Sequence, residues 1–400
     1  MNILILTSVY PGNYRGGKDS NVTQVVHYFA KEWMREGHNV KVIHNSNRYP
    51  LFVHMLPRKV KNYFLSRNSY PIPDIDYAKK EEYEWEGISV VRLPMLKLIP
   101  HGDHPRVVIQ KQFRLIEKHL VGFKPDIIIG HWSTPQIQLI KLLKEKYHCR
   151  TALTLHGISY ITSQKFDFQK YMDGIDRFGV RNAYDAKKVR ELLNLNYCPY
   201  ICYSGIPDEY IENNQSSIEK FKTVSTLKLL FVGRLVERKN VQTVLEALYR
   251  LGLKNYEFDI IGDGPYKEQL EDYCSSLGLS DYVHFVGRIP RDEVMKYSKD
   301  AHYFVMVSRD EAYGLVYLEA MANHCIPIGA INEGGDGIIQ DRVNGYLCKA
   351  GDVSELENVF EEIMDTKESE TIEMANNAFN RATELTDSKA ARLYLENAMQ

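Results

Sequence analysis

Ser308-Arg309-Asp310-Glu311-Ala312-Tyr313-Gly314-Leu315-Val316-Tyr317-Leu318-Glu319-Ala320-Met321-Ala322 is the stretch on which the reading of this chain turns. Ahead of it runs Ala301-His302-Tyr303-Phe304-Val305-Met306-Val307, with the apolar and aromatic content of a strand. After Gly314 the apolar residues fall at Leu315, Leu318 and Ala322, with Val316 and Ala320 beside them, which is helical spacing. The pattern is therefore strand, short polar loop, helix. Glu311 sits in the loop and Glu319 about one and a half turns into the helix. The backbone N–H groups of Gly314, Leu315 and Val316 open that helix, at the positive end of its dipole. Such a start favours an anion, and two carboxylates beside it accept hydrogen bonds from hydroxyl groups. A phosphorylated sugar ligand suits both, although the same spacing also suits a solvated helix face.

Further motifs precede and follow this stretch. Val232-Gly233-Arg234-Leu235-Val236-Glu237-Arg238-Lys239-Asn240 comes first, then Ile260-Ile261-Gly262-Asp263-Gly264-Pro265, then Val286-Gly287-Arg288, and, after the Glu-x7-Glu segment, Asn344-Gly345-Tyr346-Leu347. In this order they resemble the retaining glycosyltransferases of family four. The resemblance implies an α/β chain of the GT-B fold, with two Rossmann-like domains facing across a cleft. It implies a nucleoside diphosphate sugar as donor and a saccharide or lipid-linked acceptor, with no cofactor and no metal required. Arg234 and Lys239 are then the expected diphosphate ligands, since Arg offers a fork and Lys a point charge. Asn240 is expected to cap the helix that follows. By the same resemblance the backbone around Arg288 seats the base, Glu319 the ribose and Glu311 the sugar. One departure is visible: Glu333-Gly334-Gly335-Asp336-Gly337 stands where the family commonly has Gly-Gly-x-Pro-Glu.

The first half reads as a parallel α/β domain. Met1-Asn2-Ile3-Leu4-Ile5-Leu6-Thr7 is a first buried strand, followed by a loop with Gly16 and Gly17, which the resemblance turns toward the donor phosphates, and a helical pattern through Val22, Val26, Phe29 and Trp33. Ile127-Ile128-Ile129-Gly130-His131-Trp132 and Thr151-Ala152-Leu153-Thr154-Leu155-His156-Gly157 are two further strands ending in a histidine. Ligands bind open α/β sheets at these strand ends. His156, in its His-Gly ending, matches the family histidine that contacts the transferred sugar. His131 and Trp132 are assigned to the acceptor side. Expected boundaries are 1–204 for the first domain, 205–226 for a linker, 227–380 for the second domain, and 381–400 for a last helix crossing back to the first.

Length and composition fit two globular domains in 400 residues that are 44% hydrophobic. No apolar run approaches the roughly 20 residues that span a bilayer. The six cysteines form no metal-binding pattern. Residues 1–200 carry 30 Lys and Arg against 18 Asp and Glu, a net +12, whereas 201–400 carry 20 against 34, a net −14. A basic first half points to anionic surfaces, and residues 51–67 interleave Arg58, Lys59, Lys61 and Arg67 with apolar residues, as in helices that lie on membranes and equally in amphipathic helices packed on their own domain. A cytoplasmic location, peripheral at the inner face of the membrane, is the expectation, with no nucleic-acid partner. Two other readings fit the same chain: a catalytically silent GT-B partner in a polysaccharide-assembly complex, and a sugar-nucleotide epimerase.

Overall fold

The computed structural model describes residues 1–14, 17–18, 23–50, 55–57, 79–97, 104–162, 166–212, 217–222 and 224–400. The chain divides into two compact units. One comprises Met1–Arg181, Asp185–Cys202 and Ala391–Gln400, the other Asn182–Tyr184 and Tyr203–Ala390.

The first unit is built on β1 (Asn2–Thr7), β2 (Asn39–His44), β3 (Glu81–Trp85), β4 (Ile88–Arg92), β5 (Ile127–His131), β6 (Arg150–Thr154), β7 (Arg177–Val180) and β8 (Tyr200–Ile201). They form one sheet in the order β8-β7-β6-β5-β1-β2-β4-β3. All neighbours are parallel except the β3–β4 hairpin, whose turn residues Glu86 and Gly87 both take positive φ, as the tight hairpin turns require. Strand β5 is buried along its whole length, and only Asn2 of β1 is not. That explains their unbroken runs of Ile and Leu, since a central parallel strand is covered on both faces. Helix α1 (Val25–Arg35) lays Val26, Phe29, Ala30 and Trp33 on the sheet, and α2 (Gln136–Tyr147) lays Ile137, Ile140 and Leu143. The strand order reverses between β1 and β5, so their carboxyl ends open the switch-point crevice of this sheet.

The second unit has a six-stranded parallel sheet of β9 (Leu227–Val232), β10 (Tyr256–Ile261), β11 (Val283–Gly287), β12 (Tyr303–Val305), β13 (Ile326–Ala330) and β14 (Tyr346–Cys348). Its order is β11-β10-β9-β12-β13-β14. This is the order of a dinucleotide-binding Rossmann sheet, with the switch point between β9 and β12. Helices α3 (Val241–Leu251), α4 (Arg291–Asp300) and α5 (Leu315–Met321) follow β9, β11 and β12. Gly262 ends β10 against the turn after β9: a Cβ there would lie 1.8 Å from the Gly233 carbonyl oxygen, and its φ is +145°. The turn that carries Arg234 therefore depends on a glycine one strand away.

Residues 205–226, expected as a linker, fall within the second unit. The cause is burial: Ile206 and Phe221 lie in the core of that unit, and Ile206 exchanges backbone hydrogen bonds with Leu385 and Asp387. Helix α6 (Glu368–Glu384) belongs to the same unit, while in α7 (Asp387–Met399) everything from Ala391 onward belongs to the first. There Trp33 Nε1 donates to the Ala391 carbonyl at 2.8 Å, and Tyr394 is fully buried. Among the described residues no helix is long and apolar enough to cross a membrane.

Candidate functional site

The loops after β9 and β12 meet in the second unit. Strand β12 ends, Asp310 takes a left-handed φ of 52°, and Gly314, with φ 75°, starts α5 with no side-chain cap on the helix. Gly314 is required: a Cβ would lie 2.6 Å from the Tyr317 ring. The loop after β9 runs through Glu237–Lys239 into α3. Arg309 N donates to the Arg238 carbonyl at 2.7 Å, which ties the two loops together.

Asn240 does not cap α3 with its side chain. It sits in the left-handed region, φ 53°, and its Nδ2 donates to the Val307 carbonyl at 2.7 Å, bracing the loop against the end of β12. Asn takes that conformation more readily than most residues, and its amide is the donor that the carbonyl of the buried Val307 needs.

The braced loops hold a small charge cluster. Lys239 Nζ donates to Glu311 Oε2 at 2.5 Å and lies 3.3 Å from Met306 Sδ, and Arg238 Nη1 reaches the same carboxylate oxygen at 3.3 Å. Lys239 is only 9% exposed, so its charge requires a partner, and Glu311 is that partner. Arg234 is exposed, with no hydrogen-bond or ion-pair partner among the described residues. Glu333, in the loop that departs from the family pattern, accepts the Glu311 N–H at 2.8 Å. Burial raises its carboxyl above the usual range. The neighbouring Gly334 packs so closely that a Cβ would lie 2.5 Å from the Tyr313 nitrogen.

Beside the cluster, Val232, Arg288, Ile289, Pro290, Arg291, Val294 and Glu319 line a cleft of about 620 Å³. Glu319 and Arg288, expected at ribose and base, thus share one cavity. Glu319 is ion-paired with Arg291. Leu315 and Val316 are half-buried at the start of α5.

The first unit brings together His131, His156 and Trp132. His131 Nδ1 and His156 Nε2 are 3.1 Å apart, and the Trp132 ring stacks on the His156 imidazole at 4.2 Å and 12°. His131 was expected on the acceptor side; it is completely buried and touches His156 and Tyr394 instead. It lies at the carboxyl end of a strand covered on both faces, where a side chain pointing inward meets no solvent. Burial lowers its pKa to about 3, with the nearby Arg181 adding to the effect. Burial likewise pushes His156 well below the ordinary histidine range, helped by Arg181 and His131. Both rings are neutral at physiological pH.

Gly16 lies outside the described residues, and Gly17 begins a two-residue strand paired with Asn13–Tyr14. Residues 51–54 and 58–67 of the basic amphipathic segment also lie outside them. Among the described residues no group of three or more His, Cys, Asp or Glu is placed to hold a metal ion. Sequence reasoning did not single out Arg238, Arg291 or Tyr394. Arg238 stands beside Lys239 in the same motif, and Arg291 opens a helix three residues after Arg288. Tyr394 had no local signal, because its contacts lie more than 190 residues away.

The chain thus has two Rossmann-type units, the second with a charge cluster and a cleft at its switch point. Residues 213–382 match the family model described as glycosyl transferases group 1. An uncharacterized glycosyltransferase of Methanocaldococcus jannaschii is 25% identical over 82% of this chain and 90% of its own length. The alpha-monoglucosyldiacylglycerol synthase of Streptococcus pneumoniae is 33% identical over a shorter region, 30% of this chain and 27% of its own. Among solved structures, the lipopolysaccharide outer core galactosyltransferase WaaB superposes with a TM-score of 0.69 at 15% identity, covering 99% of both chains. Anabaena HepE in complex with UDP superposes with a TM-score of 0.61 at 16% identity, again over 99% of both. The fold is GT-B, and over residues 213–382 the chain is similar to the glycosyl transferases of group 1.

Proposed function

We propose that this transferase moves a hexosyl group, with retention, from a nucleoside diphosphate sugar to a saccharide or lipid-linked saccharide in the assembly of a bacterial surface polysaccharide. A UDP-sugar is the favoured donor and a GDP-sugar the second choice. The observation that carries the reading is the cation pair Arg238 and Lys239, held on Glu311 beside the uncapped start of α5 and next to the Arg288–Glu319 cleft. With a diphosphate bound, Lys239 and Arg238 turn part of their charge from Glu311 to the phosphate oxygens, Arg234 adds a third cation, and Glu311 is freed for a sugar hydroxyl. Positive charge placed in advance stabilises the leaving diphosphate without reorganisation in the transition state. His156, being neutral, serves as a hydrogen-bonding group toward sugar or acceptor and not as a charged acid. The reaction then requires no metal, and turnover survives a chelator. The names of WaaB, a lipopolysaccharide enzyme, and of the UDP-bound HepE support the polysaccharide context and the base.

Contact of the basic first half with an anionic membrane, on the cytoplasmic side, belongs to the same proposal. Flotation with anionic but not neutral liposomes is the expected outcome. The test of the donor site is thermal-shift binding of UDP, GDP, ADP and their common sugar conjugates, run beside the Lys239→Ala, Glu319→Ala double variant. Stabilisation by one nucleotide series, lost in the variant, is expected. Absence of a shift with every nucleotide moves the reading to the silent partner.

A further inference from the structure

We propose that Glu333 is a positioning residue that keeps Glu311 in place while a bound diphosphate draws the cations away from it; the part of this statement that concerns diphosphate and sugar rests on the function proposed above. Asp310, with a φ of 52°, holds a left-handed conformation that a residue with a side chain keeps only where its surroundings enforce it. Those surroundings are charged on both sides. The Glu311 N–H donates to Glu333 Oε2 at 2.8 Å, and the Asp310 N–H is bonded to the same carboxylate. The Asp310 carbonyl accepts from Arg238 Nη1 at 3.3 Å. The peptide unit between Asp310 and Glu311 is thus clamped, with a cation at its oxygen and a carboxylate at its N–H, the order that the peptide dipole favours.

A ligand acts differently on the two ends of this clamp. Arg238 also reaches Glu311 Oε2 at 3.3 Å, beside Lys239, and both are cations that a diphosphate recruits. Glu333 is an anion with no ion pair among the described residues, so a diphosphate does not compete for it. When Arg238 turns to the ligand, the Asp310 oxygen loses its partner. Glu333 remains on the other side of the peptide, and Glu311 meets the sugar from a fixed backbone.

Glu333 is itself held from behind. Asp336 N donates to the Glu333 carbonyl at 2.8 Å. Farther along the same loop the Gly337 carbonyl accepts from Arg381 Nη2 at 2.9 Å and from Tyr203 OH at 3.3 Å, and the Arg381 guanidinium lies 5.1 Å over the Tyr203 ring. Every residue of this brace belongs to the second unit. The segment that departs from the family pattern therefore carries a carboxylate to the back of the loop between β12 and α5.

Two measurements on the full-length protein test the anchor and its use separately. The first needs no ligand: hydrogen exchange is read by mass spectrometry on a peptide spanning residues 308–314. Exchange is expected to be about tenfold faster in Glu333→Ala than in wild type, and close to wild type in Glu333→Gln, whose amide oxygen still accepts an N–H. Unchanged exchange in Glu333→Ala overturns the proposal whatever the nucleotide results. The second is calorimetry with UDP against UDP-glucose and UDP-N-acetylglucosamine, or with GDP against GDP-mannose where the guanine series binds. Glu333→Ala is expected to bind the free nucleotide as wild type does, which also shows that it is folded, and to bind the sugar conjugate about tenfold more weakly. Glu333→Gln is expected to recover most of that loss. A sugar conjugate bound equally by wild type and Glu333→Ala overturns the positioning role, and so does a Glu333→Gln as weak as Glu333→Ala. Free nucleotide lost in both variants means that the whole loop collapses, and overturns it too. If no nucleotide binds the wild type, the donor reading falls, while the exchange result still decides the anchor.

Discussion

The switch-point clusters of the two units do not follow the net charge of the two sequence halves. The first half is net +12, yet the cluster that its His131, His156 and Trp132 form with Tyr394 of the last helix is neutral, with His131 hydrogen-bonded to both His156 and Tyr394. The second half is net −14, yet its cluster places Lys239 and Arg238 around one carboxylate, with Arg234 nearby in the sequence and Arg288 lining the cleft. Net charge acts over a surface and is screened within about 8 to 10 Å at physiological salt. A binding site is set by the few groups inside that radius. Strand ends decide which groups those are, because a side chain on the last residue of a buried strand is desolvated, whereas one in the following loop keeps part of its water. His131 is the first case; Arg234 and Arg238 are the second.

The largest expected effect tests the charged member of this pair. Lys239→Ala removes the nearly buried cation and leaves Glu311 with Arg238 at 3.3 Å as its remaining counter-charge. Turnover with the donor selected by thermal shift is expected to fall on the order of 100- to 1000-fold, as when a preorganised oxyanion contact is lost. Lys239→Arg is expected to recover part of it. Turnover near wild type in Lys239→Ala would end the claim that the charged cluster holds the diphosphate.

A smaller effect tests the neutral member. His131 has its folded pKa lowered to about 3, against an ordinary value near 6.5 in the unfolded chain. Between those values the unfolded chain binds a proton that the folded one refuses, so stability is present above about pH 6.5 and is lost as the pH falls. The slope is about 1.4 kcal/mol per pH unit for one such histidine. Comparing denaturant unfolding of wild type and His131→Gln from pH 7 to pH 4 is expected to show a shallower fall in the variant, whatever its stability at pH 7. Equal slopes would mean that His131 is protonated in the fold, and the contrast between the two clusters would go with it.

How much of this was legible in the sequence follows from the range of each signal. Strand β12, the loop and α5 were readable because hydrophobic period is local, and the Rossmann-like character of the second domain was implied by the family resemblance of the ordered motifs, whereas its strand order was not read. Glu319 and Arg288 were named as candidates from the same motifs. The ion pairs were not legible: Lys239 and Glu311 were each assigned to a ligand, and their sequence separation of 72 residues hid that they bond each other. Asn240 was read as a cap because its type fits one, yet only the position of the Val307 carbonyl determines where its amide goes. The burial of His131 was missed for the opposite reason, since its place at a strand end suits a ligand as well as it suits a core. Tyr394, 263 residues from His131, was beyond any local reading.

The smallest effect separates the clusters by their response to salt. Arg238 is about half exposed, 47% for its side chain, so its pull on a diphosphate is screened by added ions, and the same holds for Arg234. Hydrogen bonds from a neutral imidazole carry no net charge to screen. Raising sodium chloride from 50 to 500 mM is therefore expected to weaken nucleotide binding several-fold in wild type and less in Arg238→Gln. The ratio of affinities between wild type and His156→Ala is expected to stay constant over the same range. If that ratio collapses with salt, His156 acts through charge and is protonated when ligand is bound. If nucleotide binding is indifferent to salt, the cations around Glu311 are already neutralised by it, and the diphosphate is held by backbone N–H groups alone.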